Sequence, residues 1–334
     1  MLKDKDFIEI TGYLRVLEKR ILSNVSIDRI TDVSGIAETL RQISQNSAWD
    51  FTQLRRPEDS ETILRDVLKN VYDEIRSIIP DTVVVDAAAI KHEFHNVRVA
   101  VKLQQTQKDL RYLYSDIPAL PAPELEDFVS GLDKSENIPQ YIEDAVAEAA
   151  EAFAESGDVQ DIDIVIDRHL FARFLALCDE IGNPFITEYA QLSIDFHNVK
   201  TLLRVNNMKK GVRFLNHCLI SGGLTDLGVF SAQYDKSPDA IAQAFSFRYF
   251  GDVIKKGMDD YSRTGNFSGL ERRLDDYLME HVKKTKLLAF GPEIPFAYLL
   301  SKENEARQIR IIIACKLNGI RPEVLRERLR DNYA

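Results

Sequence analysis

The side chains with the types and spacing to do chemistry are few. His92-Glu93-Phe94-His95 resembles a zinc-binding box, but its histidines stand three apart, whereas HExxH needs them four apart. Acid pairs such as Asp161 and Asp163 could share a proton, yet in a chain with 53 acids such pairs arise by chance. Cys178, Cys218 and Cys315 are widely spaced, with no CxxC, and read as buried free thiols of a reducing compartment. No GxGxxG or GxxxxGK[ST] cradles a phosphate, and no GxSxG presents a serine nucleophile. No catalytic residue, cofactor-binding residue or metal ligand is assigned, and no cofactor or direct nucleotide binding is expected.

A repeat is more informative than any of these motifs. Glu93-Phe-His-Asn96-Val-Arg98 recurs as Asp195-Phe-His-Asn198-Val-Lys200, and more loosely as Glu305-Ala-Arg-Gln308-Ile-Arg310. The acids lie 102 and 110 residues apart, and a proline precedes each: Pro80 by 13, Pro184 by 11 and Pro292 by 13. Farther upstream stand Asp66, Asp167 and Asp275. On a helical wheel with the acid at the origin, the aliphatic falls at about 40° and the next apolar pair at about 340° and 80°. The acid therefore lies within the apolar stripe, with the amide beside it and the base outside it. A second base follows on that polar side in two copies, Lys102 and Arg204; the third has Ala314.

A carboxylate on an apolar face must be paired, or it is driven neutral. The acids and amides Glu93, Asn96, Asp195, Asn198, Glu305 and Gln308 read as a structural lock, each acid accepting hydrogen bonds from a neighbouring helix end or an arginine. His95 and His197 fall on the polar side and read as helix-surface residues. The bases Arg98, Lys102, Lys200, Arg204 and Arg310 are candidate docking residues.

The elements that carry these residues are expected to be helices. Glycine is scarce, at 15, and most of the 11 prolines fall between apolar-periodic segments or in their first turns. The pattern predicts helices over Tyr13–Leu22, Ile36–Gln45, Glu61–Ile78, Ala88–Leu110, Ile138–Glu155 and Arg168–Glu180. It predicts further helices over Ile186–Asn206, Pro238–Asp259, Leu270–Lys286, Tyr298–Leu317 and Pro322–Tyr333. Thr82–Val85 and Ile162–Ile166 could be strands. Ile117–Pro123 reads as an extended linker, and Gly222-Gly223 as a weaker boundary. The fold class is all-α, in three similar helical domains: 1–115, 116–230 and 231–334.

The 334 residues can bury sizeable cores, and a net charge of −10 argues against nucleic-acid affinity. Met1-Leu-Lys-Asp-Lys-Asp does not open a signal peptide, and Leu287–Leu300, interrupted by Pro292, Glu293 and Pro295, is too short to span a membrane. No transmembrane segment is expected.

The stretch Phe290-Gly-Pro-Glu-Ile-Pro-Phe-Ala-Tyr-Leu-Leu-Ser-Lys-Glu-Asn-Glu305-Ala-Arg-Gln-Ile-Arg310 resembles the signature of the C subunits of the V-type and A-type rotary ATPases, whose eukaryotic counterpart is the V-ATPase d subunit. Lys316-Leu-Asn-Gly-Ile320, Glu327-Arg-Leu-Arg-Asp-Asn-Tyr333 and Tyr13-Leu-Arg-Val-Leu17 fit the same family, although Arg15 stands where the family often has an acid. The resemblance implies three helical domains around a pseudo-threefold axis, forming a funnel. It implies a non-catalytic central-stalk component that links the rotating shaft subunits to the membrane rotor ring of proteolipid subunits. ATP hydrolysis or synthesis would thereby be coupled to proton or sodium transport. The chain would be cytoplasmic and peripheral on the membrane. A free-standing helical scaffold, or an enzyme spread over the three acids, are the competing readings.

The charge is uneven. Asp116 to Asp167 carries 15 acids and one base, Lys134, so this block holds −14 and the remainder +4. It reads as a solvated acidic face, or as one turned from an anionic membrane or toward a basic patch on the shaft.

Overall fold

The computed structural model describes residues 2–52, 54, 56–131 and 137–334; Lys134 of the acidic block lies outside them. The chain is all-α, with no strand among the described residues. The first stretch carries α1 (Ile8–Leu17), α2 (Asn24–Asp32), α3 (Ile36–Asn46), α4 (Ser60–Ile78) and the long α5 (Val83–Thr106). Then come α6 (Ala122–Val129), α7 (Gln140–Ser156), α8 (Val159–Ile181) and the long α9 (Pro184–Met208). The last stretch holds α10 (Val212–Cys218), α11 (Leu227–Ser231), α12 (Pro238–Phe245), α13 (Gly251–Thr264), α14 (Ser268–Lys283), the long α15 (Glu293–Leu317) and α16 (Pro322–Arg328).

Both candidate strands are helical. Val83-Val84-Val85 forms the first turn of α5, and Ile162–Ile166 lies in α8, which Asp158 caps by accepting from the Gln160 N–H. Ile162, Val165 and Ile166 are buried together, so tertiary packing overrides β propensity and the apparent alternation. The helix expected over Pro238–Asp259 breaks at Ser246–Phe250, and that expected over Pro322–Tyr333 ends at Arg328. Ala122, within the expected linker, already opens α6, where Pro123 sits in the first turn and its missing N–H costs nothing.

The three long helices carry the repeat. Each is buried around much of its circumference, and α15 has no exposed residue from Glu293 through Glu305. One apolar core joins Phe7–Ala190 to Met279–Tyr333, and a second gathers side chains from Leu192 to Leu274. Both α9 and α14 pass from one core into the other.

Candidate functional site: a cyclic lattice on three helices

Each repeat amide clamps a returning stretch of backbone. Asn96 donates to the Ser115 carbonyl and accepts from its N–H, both at 2.8 Å. Asn198 does the same to Ile220, at 2.7 and 2.9 Å, and Gln308 to Arg330, at 2.5 and 3.0 Å. The clamped residues lie 19, 22 and 22 positions downstream of their amides. The chain reverses after each long helix through a left-handed residue: Gln107, Lys209 or Gly319. A carboxamide fits here because it offers one donor and one acceptor in a plane, matching a peptide unit.

The acids satisfy different donors. Asp195, fully buried, accepts from the Thr225 N–H at 3.2 Å and the Thr225 hydroxyl at 2.9 Å. Gly223 permits this approach, since a Cβ there would collide with Asp195 Oδ1. Glu305, also fully buried, accepts from the Leu22 N–H at 2.7 Å and pairs with buried Lys302, whose ammonium lies 4.6 Å from the centre of the Trp49 ring. Glu93 accepts the Tyr141 hydroxyl, at 3.0 Å. A cavity of about 610 Å³ opens beside Glu93, bordered by Arg76, Asp86, Pro118, Tyr141 and Arg173.

Burial pushes the Glu93 carboxyl above the usual carboxylate range, against the Tyr141 hydrogen bond. Burial also raises Asp195, opposed by both Thr225 bonds. For a raised carboxyl the folded state holds its proton more tightly, so the group's contribution to stability falls as pH rises from the unfolded value through the folded one. Glu93→Gln should therefore match the parent below pH ~4 and unfold at a higher temperature than the parent at pH 8. Calorimetric melts across that range test this; a lower melt for the variant at pH 8 would show that the ionised form is needed.

The five candidate bases are all ion-paired within the chain. Arg98 meets Asp163 at 3.1 Å and also Asp167, and Lys102 meets Asp163 at 2.6 Å, joining α5 to α8. Lys200 faces Asp275 at 3.7 Å and Arg204 meets Glu271 at 2.8 Å, joining α9 to α14. Arg310 meets Glu61 at 2.7 Å, joining α15 to α4. Each long helix thus pairs with the helix that precedes the next long helix, and the third returns to the first. Of the upstream acids, Asp167 and Asp275 are partners in this lattice; in the first repeat Glu61 takes that part instead of Asp66.

His95 and His197 are half-buried between elements, not on the solvent face. His95 meets the Leu113 carbonyl at 2.8 Å, His197 packs edge-on against Phe171 of α8, and burial lowers the pKa of both. The wheel described an isolated helix and did not include the neighbour covering that side.

Sequence reasoning missed Glu303. Nearly buried, it accepts from Tyr72 at 2.6 Å, contacts His92 at 2.7 Å and pairs with Lys91, tying α15 to α4 and α5. Burial would raise its pKa, but Lys91 and His92 outweigh that and hold it at about 2. The available signal was opposite charge at matching registers, since Lys91 and Glu303 each precede their repeat acid by two.

Part of the acidic block is drawn into pairs as well. Asp116 meets Arg65, Glu126 meets Arg111, and Glu148 meets Arg168 and His169. Among the described residues, no group of three or more His, Cys, Asp or Glu side chains could hold a metal, and no helix is long and apolar enough to cross a membrane.

Comparison with known proteins gives the chain its relatives. The chain is 23% identical over 329 residues to the C subunit of the V-type sodium ATPase of Enterococcus hirae, covering 98% of this chain and 99% of that one. It is 20% identical over 351 positions to the C subunit of the A-type ATP synthase of Methanocaldococcus jannaschii, covering 96% and 85%. Over 147 residues, 44% of this chain and 39% of the relative, it is 33% identical to the C subunit of the A-type ATP synthase of Thermococcus onnurineus. The family model described as ATP synthase (C/AC39) subunit matches residues 10–328, and the chain belongs to that family.

Proposed function

We propose that this chain is the collar of the central stalk in a V-type or A-type rotary ATPase. It links the shaft subunits to the membrane rotor ring, so that ATP hydrolysis or synthesis is coupled to proton or sodium transport. The observation that carries this reading is the closed cycle of helix pairs, α5 on α8, α9 on α14 and α15 on α4. A part that transmits torque must resist shear from every side, and three similar units joined head to tail leave no free edge. The sequence units 1–115, 116–230 and 231–334 serve as the three domains of a funnel, each reaching across to the next. The chain sits peripherally, on the cytoplasmic face of the membrane, and the nucleotide chemistry belongs to other subunits. Membranes washed at low ionic strength test the placement. The chain is expected to stay with the membrane ring or leave with the shaft; release independent of both would refute the collar.

Arg204 and Arg310 keep the most exposed heads of the five bases, at 62% and 47% of the side chain, and remain the docking candidates. Reversing both Lys200 and Arg204 to Glu is expected to cost about 1–2 kcal/mol, because Asp275 and Glu271 would then face like charge. The swap Arg204→Glu with Glu271→Arg should restore stability in thermal melts yet still weaken incorporation into the complex. Full incorporation of the swapped chain would end the docking role of Arg204.

A further inference from the structure

One surface is neither core nor lattice. Leu287, 90% exposed, lies with Leu288 and Phe290 in the loop between α14 and α15. From Lys286 through Phe290 all five residues are exposed, and the next ten are all buried. The loop is fixed to α1: the Arg15 guanidinium donates to the carbonyls of Thr285 at 2.7 Å and Leu288 at 2.9 Å. Ile8 and Val16 of α1 are 54% and 62% exposed. At helical spacing, Ile8, Gly12 and Val16 fall within about 80° of one another, with Arg15 about 20° to one side. Arg15 thus joins the loop to the helix that carries the exposed Ile8 and Val16.

Charge selects its partner. Lys283 through Phe290 carries three lysines and no acid in a chain whose net charge is −10; Lys283 is paired with Glu280 and Asp331, so Lys284 and Lys286 carry the charge of the loop. Lys284 and Lys286 are exposed, and the Lys286 ammonium is held 4.8 Å from the centre of the Tyr333 ring. An apolar ridge fringed with lysine matches the interface of an anionic bilayer, where side chains enter the acyl boundary and ammonium groups stay among headgroup phosphates. A comparably exposed pair, Phe247 at 97% and Tyr249 at 88%, lies between α12 and α13 beside a single base, Arg248.

We propose that the α1 stripe and the Lys284–Phe290 loop form a contact surface for anionic lipid headgroups. The test is sedimentation of the full chain with ATPase-free vesicles of phosphatidylcholine containing phosphatidylglycerol. Binding is expected to weaken steeply as salt is raised. Lys284→Glu, which changes the local charge by two, should lower partitioning on the order of thirtyfold. Leu287→Ser should also lower it, while Phe247→Ser with Tyr249→Ser leaves it unchanged. Unshifted thermal melts for these surface variants support the proposal by tying each loss to the patch. Absence of binding, indifference to Lys284→Glu, or equal loss in the Phe247/Tyr249 variant overturns it. So does binding only when a purified rotor ring is present, which would make the patch a protein contact. Vesicles without a ring leave the collar reading to the washed-membrane experiment, so the two can fail separately.

Discussion

Glu305→Ala is expected to lower the free energy of unfolding by about 3–5 kcal/mol, the largest effect of any single lattice substitution. Glu305 is fully buried and holds two groups at once, the Leu22 N–H and the Lys302 ammonium. Without the carboxylate, Lys302 is a buried charge with only the face of Trp49 for company, and Leu22 has a buried donor with no acceptor. Urea titration followed by circular dichroism measures the loss. Glu305→Gln with Lys302→Met removes the charge but keeps an oxygen for Leu22, and should recover to within about 2 kcal/mol of the parent. If the double variant is no better than Glu305→Ala, pairing with Lys302 is not what Glu305 supplies.

The amide clamps give the second large effect, and it is a ranking. Asn198→Ala orphans both the N–H and the carbonyl of buried Ile220, at about 1–3 kcal/mol each, so a loss of about 2 kcal/mol or more is expected. Asn96→Ala and Gln308→Ala leave Ser115 and Arg330 unclamped, but those residues are only half-buried and water can replace the side chain. Each should cost less than half as much as Asn198→Ala in the same titration. Equal losses at all three sites would mean that the clamps act through helix geometry and not through burial of the peptide they hold.

These expectations mark how far the sequence could be read. The acid, amide and base of the repeat were visible as types and spacings because one helix carries all three. Placing the acids on the apolar stripe follows from periodicity alone, and Asp195 and Glu305 are fully buried. Their partners were not legible, since Leu22 and Glu305 are 283 residues apart and no local pattern links them. The bases read as free because a wheel has no neighbours; Glu61, Asp163 and Glu271 supply them only once helices pack. Thr82–Val85 was open to a strand reading for the same reason, propensity being visible and tertiary burial not. The close approach of Asp195 to Gly223 was not legible either, since it depends on a fold that brings α9 against the return segment.

The return of α15 to α4 has a consequence for how the molecule is made. On a ribosome, α4 emerges on the order of tens of seconds before α15. Until then Leu22 lacks the Glu305 carboxylate, Glu61 lacks Arg310, and Tyr72 and His92 lack Glu303. The first segment synthesised is thus among the last to be locked, and its apolar faces wait uncovered for the far end of the chain. A nascent chain cut short of α15 would leave its opening helices as chaperone and protease substrate, so quality control at one terminus reports on completion of the other.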